Sequence, residues 1–362
     1  MSNQARKSIH SLKTYIPGKS ADEVAREFEI SDVVKLASNE NPFGPSPKAL
    51  EEIKRRSGEL YIYPDQKSIL LKEALSSKLG LGADQIVVGN GSDEVMLLIV
   101  EAFLSAGEEV IISENTFSLY ESVTNIMEGK IKFVPLKDFG YDINDICGQI
   151  NDDTKLIWIC SPNNPTGTIT EKKEMDTLLK KIGPNTIVVI DEAYGDFVES
   201  KNYPNSLNYI KEGKNVIVLR TFSKLYGLAG LRVGYGIGKP ELIKYLNMVK
   251  LPFNVNKLAQ SAAVAALNDV DFVNSSLKNN IEGKKYLCAE LKKLNIRFID
   301  SEANFIMVLF DKNADQLFIE LMKKGVIIRP LTSFGLPNAI RVSIGTPPQN
   351  KRFIDALKEI LK

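Results

Sequence analysis

Short apolar runs alternate with helix-like stretches along the first two thirds of this chain, and this alternation constrains the fold more than any other feature. A buried parallel strand is a short unbroken apolar run, whereas apolar residues about three or four positions apart indicate a helix. Helical periodicity covers 92–104, 116–127 and 171–182, and Ser92 is the predicted cap of the first of these helices. The strand-like runs are QIVVG (85–89), EEVIIS (108–113), IKFVPL (131–136), KLIWIC (155–160), TIVVI (186–190), NVIVLR (215–220) and RVGYGIG (232–238). The sequence predicts an α/β fold in which a mostly parallel, seven-stranded sheet is flanked by helices.

The character of the chain changes after Pro252. Helical periodicity over 256–269 and 271–293 is followed by strands at IRFID, FIMVLF, VIIRP and AIRVSIG, a helix over 313–324 and a terminal helix. Residues 1–45 contain too few apolar positions to form a domain. We therefore predict an N-terminal arm that joins the small domain (1–45), a large domain (46–252) and a smaller C-terminal α+β domain (253–362).

Composition excludes several classes of protein. The 46 Lys and Arg residues nearly balance the 45 Asp and Glu residues, which argues against nucleic-acid binding because phosphate contacts need a basic face. The single histidine, His10, cannot build a histidine-rich metal site or a Ser-His-Asp triad, and we expect no metal. Three cysteines without a CxxC pair fit no disulfide framework. With no signal-peptide core and no membrane-length apolar run, the chain is expected to be a soluble, cytoplasmic enzyme.

The spacing of the 24 glycines tests for the common phosphate-binding loops. No three glycines satisfy GxGxxG, and no two satisfy GxxxxGK[ST]. An α/β sheet without either loop needs a different cofactor, or none.

Four polar segments follow predicted strands, at the sheet edge where ligands bind in open α/β folds. They are GNGSDE (89–94), SPNNPTG (161–167), DEAY (191–194) and TFSKLYGLAGLR (221–232). Burial of Lys224 would lower its amine pKa and make it a plausible Schiff-base nucleophile. Asp191 ends an apolar run, where a carboxylate needs a cationic partner. Ser92 and Asp93 begin a helix whose N–H groups could bind phosphate, to which Arg232 could add a charge-assisted contact.

A lysine amine, an acid for a ring nitrogen and a phosphate site together describe a pocket for pyridoxal phosphate. The sequence closely resembles the fold-type I pyridoxal-phosphate aminotransferases through SPNNPTG, DEAY and SKLYGLAGLRVGY. NENPFGP (39–45), YPD (63–65) and GNGSDE narrow the resemblance to the histidinol-phosphate aminotransferase group. It extends from about Tyr15 to beyond Arg341, with the motifs in the family's order.

The resemblance implies a role for each matching residue. Lys224 would bind the cofactor covalently and move a proton, and Asp191 would pair with the ring nitrogen. Tyr194 and Asn164 would donate to the ring's phenolic oxygen. Phe117 would stack on the ring, although this chain has Asn-Thr-Phe where Pro-Thr-Tyr is common, so any hydroxyl contact is lost. The implied phosphate ligands are Ser92, Asp93, Ser223, Arg232 and Tyr63 of the partner subunit in a homodimer, and the implied substrate ligands are Tyr15, Asn164, Arg329 and Arg341.

The implied reaction is transamination between L-histidinol phosphate and 2-oxoglutarate, giving imidazole acetol phosphate and glutamate in histidine biosynthesis. Two alternatives keep the fold: an aromatic or broad amino-acid aminotransferase, and threonine-phosphate decarboxylase. A transcriptional regulator of this fold would carry an N-terminal DNA-binding domain, and the residues before Tyr15 are too few for one. The motifs alone do not fix the amino donor, because an arginine that holds phosphate can also hold carboxylate.

Overall fold

A computed structural model describes residues 4–12, 14 and 18–362. Its main sheet consists of seven strands: β2 (Ile86–Gly89), β3 (Glu109–Ser113), β4 (Lys130–Val134), β7 (Thr154–Cys160), β8 (Ile187–Asp191), β9 (Val216–Thr221) and β10 (Gly234–Gly238). The shorter or C-terminal strands are β1 (Val34–Lys35), β5 (Leu136–Lys137), β6 (Gly140–Tyr141), β11 (Phe298–Ile299), β12 (Phe305–Leu309), β13 (Val326–Ile327), β14 (Arg329–Pro330) and β15 (Ala339–Ser343).

The main sheet has the order β2-β10-β9-β8-β7-β3-β4. The neighbours from β9 through β8, β7 and β3 to β4 are parallel, whereas β10 is antiparallel to both of its neighbours. The central strands are buried along nearly their whole length, which is why they are continuous apolar runs. The predicted seven-stranded, mostly parallel sheet is confirmed.

Helices cover both faces of this sheet and complete the C-terminal unit. They are α1 (Ala21–Phe28), α2 (Pro47–Arg56), α3 (Ile69–Leu79), α4 (Gly91–Phe103), α5 (Leu119–Ile126), α6 (Ile143–Gln149), α7 (Lys172–Lys181), α8 (Ser206–Lys211), α9 (Pro240–Val249), α10 (Lys257–Leu267), α11 (Val270–Lys293), α12 (Ala314–Lys323) and α13 (Pro347–Ile360). None of them, within the part of the chain that the structure describes, is both long and apolar enough to cross a membrane.

The start of α4 differs from the prediction. Asn90 is the residue before the helix and Gly91 is its first residue, so the predicted cap at Ser92 is wrong. Gly91 has a φ of +79°, a conformation that glycine adopts without strain and that turns the chain from β2 directly into the helix. Ser92 consequently lies in the first helical turn.

The C-terminal unit is built around a four-stranded antiparallel sheet of order β11-β12-β15-β14. Its apolar core includes residues of α11, α12 and α13. β1 pairs in parallel with β13, so the N-terminal arm joins this unit. α10 packs against α2, and its buried alanines belong to the core of the main sheet. The boundary at residue 252 stays a prediction. α10 follows this boundary in sequence but packs against the large domain.

Candidate active site

A cavity of about 710 Å³ opens between the carboxyl ends of the main-sheet strands and the C-terminal unit. Parallel strands bring their following loops to one edge of the sheet, which gathers the predicted residues there. Tyr15 lies outside the described residues, and Tyr63 is not among the residues that line the cavity. The predicted residues that do line it are Ser92, Asp93, Phe117, Asn164, Asp191, Tyr194, Ser223, Lys224, Arg232, Arg329 and Arg341.

Lys224 follows β9, and its Nζ donates to the backbone carbonyl of Ser38 at 3.1 Å. The same Nζ lies 5.7 Å from the centre of the Tyr194 ring. Desolvation, followed by the nearby Arg341 charge, lowers the pKa of Lys224 to about 8. An amine with this pKa is still mostly protonated at pH 7, but its unprotonated, nucleophilic form is far more abundant than that of an ordinary lysine.

The lysine loop is held by the NENPFGP segment. Asn41 donates from Nδ2 to the carbonyl of Leu225 at 2.8 Å. Gly227 has a φ of +67°, and a Cβ there would lie 2.0 Å from the carbonyl oxygen of Gly44. Only glycine permits this close approach, so the segment before α2 fixes the position of the loop that carries Lys224.

Asp191 is the last residue of β8, and its carboxylate is buried. Tyr120 of α5 donates from Oη to Asp191 Oδ2 at 2.6 Å, and the N–H of Ala193 donates to Oδ1 at 3.0 Å. Desolvation raises the pKa of Asp191 to about 6, although both hydrogen bonds oppose the rise. The carboxylate is thus oriented and in need of a cationic or protonated partner. Sequence reasoning missed Tyr120, whose only signal was its place one helical turn after Phe117.

The first turn of α4 and Arg232 form the polar end of the cavity. Arg232 donates from Nη2 to Asp93 Oδ2 at 3.0 Å. A Cβ at Gly91 would lie 2.6 Å from that same Nη2, so the guanidinium packs directly against this glycine. First-turn N–H groups have no partner within their own helix, so these N–H groups, with the guanidinium, could bind an anion here.

Two arginines lie on the C-terminal side of the cavity. Arg329 and Arg341 are directly opposite in the antiparallel pair β14–β15, and therefore share one face of the small sheet. Arg341 donates from Nη1 to Asn164 Oδ1 and from Nη2 to the carbonyl of Ala37 at 2.7 Å. Arg329 donates to Ser333 Oγ at 3.5 Å. Ile340 and Val342, the neighbours of Arg341 in β15, face the apolar core, so Arg341 lies on the opposite face of the strand.

The aromatic residues take two different positions. Phe117 is half-buried in the cavity wall and contacts Tyr120 edge-on, with 5.7 Å between ring centres. Tyr63 is 75% exposed and stacks on Phe253 at 4.5 Å. Tyr63 therefore lies away from this cavity.

Tyr194 is buried, and its hydroxyl oxygen accepts a hydrogen bond from Asn39 Nδ2 at 3.0 Å. Burial raises the pKa of Tyr194 to about 12, so its hydroxyl is protonated at neutral pH. The only signal for Asn39 in the sequence is its place as the first residue of NENPFGP. The cavity therefore combines an amine whose pKa is lowered, an oriented carboxylate, a hydroxyl donor and two cationic regions that can bind anions.

Known proteins with similar sequences cover nearly the whole chain. Residues 31–357 match the model of the family described as aminotransferase class I and II. A histidinol-phosphate aminotransferase of Moorella thermoacetica is 47% identical over 359 residues, which are 99% of this chain and 93% of that protein. Histidinol-phosphate aminotransferase 2 of Carboxydothermus hydrogenoformans is 45% identical over 99% of both chains.

The fold is similar as well. A histidinol-phosphate aminotransferase of Sinorhizobium meliloti, solved in complex with pyridoxal 5'-phosphate, has a TM-score of 0.89 and 25% identity over 100% of this chain and 98% of its own. The fold-type I resemblance predicted from SPNNPTG, DEAY and SKLYGLAGLRVGY is confirmed. This chain belongs to the class I and II aminotransferase family.

Proposed function

We propose that this chain is a pyridoxal-phosphate aminotransferase that exchanges the amino group between L-histidinol phosphate and 2-oxoglutarate. The observation that carries the proposal is one cavity that joins the Lys224 amine to the facing pair Arg329 and Arg341. An amine substrate with an anionic end fits this arrangement, because the arginine fork can bind either a phosphate or a carboxylate bidentately. The names of the most similar relatives support histidinol phosphate as the donor.

The residues present fit pyridoxal phosphate. Ser92, Asp93, Ser223 and Arg232 would hold its phosphate at the start of α4, where Gly91 leaves room for the guanidinium. Asn164 accepts from Arg341 at Oδ1, which leaves its Nδ2 as the donor for the ring oxygen, together with the Tyr194 hydroxyl. When bound, the cofactor supplies an electron sink that stabilises negative charge at a substrate carbon.

The side chains would divide the proton transfers between them. In the first half-reaction, Lys224 Nζ would take the proton from the substrate Cα. In the second half-reaction, it would give a proton to the Cα of the glutamate that forms. Asp191, oriented by Tyr120, would keep a proton on the ring nitrogen through a charge-assisted hydrogen bond. Phe117 would pack against the ring face, and Arg341 and Arg329 would hold the anionic end of the substrate, to which Tyr15 would also contribute.

A substrate comparison tests the proposal. Each of four donors, L-histidinol phosphate, phenylalanine, tyrosine and threonine phosphate, is supplied with 2-oxoglutarate, and glutamate formation is measured. We expect the highest kcat/KM for histidinol phosphate. A higher value for phenylalanine or tyrosine would indicate an aromatic aminotransferase, and release of CO₂ from threonine phosphate would indicate the decarboxylase.

Arg341→Lys is expected to raise KM in both half-reactions and to lower kcat/KM by about 30- to 1,000-fold, or about 2–4 kcal/mol. A lysine has a single charged nitrogen and cannot contact Asn164, the Ala37 carbonyl and an anion in the way the guanidinium does. Stopped-flow measurement of each half-reaction is the check, with Arg329→Lys as the comparison that should lose less. Unchanged kinetics with both substrates would remove Arg341 from the binding site.

We also propose a homodimer with shared active sites. An exposed apolar patch connects two segments of the chain through the Tyr63–Phe253 stack. An exposed patch of this kind marks an interaction surface. A second copy of the chain is the expected partner, and it would receive the hydroxyl of Tyr63 at its phosphate site. The other exposed apolar side chains in the sequence around Tyr63 and Phe253 are Leu60, Tyr61, Ile62, Ile69, Leu70, Met248 and Leu251.

Tyr63→Phe is expected to weaken cofactor affinity without changing the fold, because one hydrogen bond to phosphate is lost across the interface. Tyr286→Phe, an exposed tyrosine of α11, is the matched control and should have no effect. Mixing Tyr63→Phe and Lys224→Ala subunits should restore one native site per hybrid dimer. A fully active monomer in sedimentation at low protein concentration would contradict the shared site.

A cytoplasmic location is part of the proposal. Cys147, Cys160 and Cys288 are free thiols. Thiols persist in reducing compartments, which supports the cytoplasm.

A further inference from the structure

Asn39 is a buried asparagine at the junction of the two sheets, and its hydrogen bonds have a defined direction. Its N–H donates to Ser343 Oγ at 2.8 Å, and its Oδ1 accepts from the same hydroxyl at 2.9 Å. Its carbonyl oxygen accepts from Asn304 Nδ2 at 3.0 Å. Asn39 adopts the left-handed conformation, with a φ of 56°. In this conformation its backbone N–H and its side-chain Oδ1 both form hydrogen bonds with the Ser343 hydroxyl.

These contacts fix which end of the Asn39 amide faces Tyr194. The Ser343 hydroxyl has one proton, and its oxygen already accepts from the N–H of Asn39. If the amide were reversed, two donors would face the Ser343 oxygen and the buried hydroxyl proton would lose its acceptor Oδ1. The carbonyl oxygen of the amide therefore faces Ser343, and Nδ2 faces Tyr194.

The direction of this hydrogen bond determines where the Tyr194 proton points. Since Asn39 Nδ2 is a donor, the Tyr194 oxygen is the acceptor and cannot give its own proton to Asn39. Across the described residues, Tyr194 Oη forms no other hydrogen bond, and the residue lines the cavity. Its proton is consequently available to an acceptor in the cavity.

We propose that Asn39, oriented by Ser343, is a positioning residue that holds the Tyr194 hydroxyl as a hydrogen-bond donor to an anionic ligand oxygen in the cavity. The inference rests on the proposed function, in which that oxygen belongs to pyridoxal phosphate. Ser38 also accepts from Lys224, so two consecutive residues of one loop orient the two groups nearest the reaction.

The test measures the visible absorbance of the cofactor-loaded enzyme as a function of pH. The quantity compared is the midpoint, the pH at which half of the absorbance change has occurred. A hydroxyl that donates to the ring oxygen stabilises the negative charge on that oxygen. Without this donor, the charge would raise the pKa of the nearby Lys224 nitrogen when it is bonded to the cofactor. Loss of that donor in Tyr194→Phe should therefore raise the midpoint, by about one pH unit. Asn39→Asp presents only acceptor oxygens, should turn the tyrosine proton away from the cavity, and should raise the midpoint as well.

The double variant separates an effect through Tyr194 from a direct effect of the new charge. If Asn39 acts through Tyr194, Asn39→Asp should raise the midpoint by clearly less in the Tyr194→Phe background than in the wild type. Equal shifts in the two backgrounds would overturn the proposal, as would no shift in the wild type. A wild-type midpoint that does not respond to Tyr194→Phe would instead refute the proposed contact between Tyr194 and the cofactor.

A second pair of variants keeps the test decisive if Asn39→Asp fails to fold. Ser343→Ala removes the hydroxyl that orients the amide, whereas Ser343→Thr retains it. We expect Ser343→Ala to raise the midpoint and Ser343→Thr to restore the wild-type value. Identical midpoints in Ser343→Ala and wild type, with thermal unfolding unchanged, would overturn the proposal.

Discussion

Lys224→Ala is expected to abolish turnover, with kcat lower by about 10⁴-fold or more, because in the proposed function this one amine both bonds the cofactor and moves the proton. The side chain lines the cavity, and its Nζ contacts only the Ser38 carbonyl among hydrogen-bond acceptors of the described residues, so its removal leaves the surrounding packing largely intact. The variant should fold and should still bind pyridoxal phosphate without a covalent bond.

Borohydride reduction of the wild-type enzyme followed by peptide mapping is the check. Lys250 provides an internal comparison, because burial also lowers its pKa to about 8 while the residue does not line the cavity. A low pKa alone does not place an amine near the cofactor, so the pyridoxyl label should be found on Lys224 and not on Lys250. A label on any other lysine would refute the assignment.

Asp191→Asn is expected to lower kcat by about 10³- to 10⁴-fold while changing thermal stability little. An amide cannot hold a proton on the ring nitrogen through a charge-assisted hydrogen bond, so negative charge on the substrate loses its stabilisation. Stability should change little because burial disfavours the Asp191 carboxylate: its pKa is raised to about 6. A neutral amide avoids that desolvation.

The same raised pKa predicts how stability depends on pH in the cofactor-free protein. A group whose pKa is higher in the folded state stabilises the fold below its unfolded value of 3.8, and this contribution is lost as pH rises through about 6. In Asp191→Asn, this decrease in stability with rising pH should be absent. Tyr120→Phe is the milder comparison for rate, since it removes one donor to the carboxylate and keeps its charge. A wild-type kcat in Asp191→Asn would exclude Asp191 from the mechanism.

The sequence by itself determined the main sheet and which of its loops meet at the cavity. Runs such as TIVVI and KLIWIC are apolar throughout because their strands are covered on both faces, so composition alone identifies them. Parallel strands end at the same edge. Asp191 ends β8 and Lys224 follows the neighbouring strand β9, so both were expected at that edge. The first residue of α4 was harder to predict, because it depends on the left-handed conformation of Gly91 and not on helical periodicity.

Only the tertiary structure decided which side chains contact one another. Tyr120 and Asp191 are 71 residues apart in sequence, Asn39 and Tyr194 are 155 apart, and Arg341 and Asn164 are 177 apart. Local periodicity reports which face of a strand or helix is buried, but not which distant element covers it. These three contacts arise where α5, the NENPFGP loop and the small sheet meet the edge of the main sheet. The packing of those elements buries Asp191 and thereby raises its pKa, and it sets the direction of the hydrogen bond that orients the Tyr194 hydroxyl.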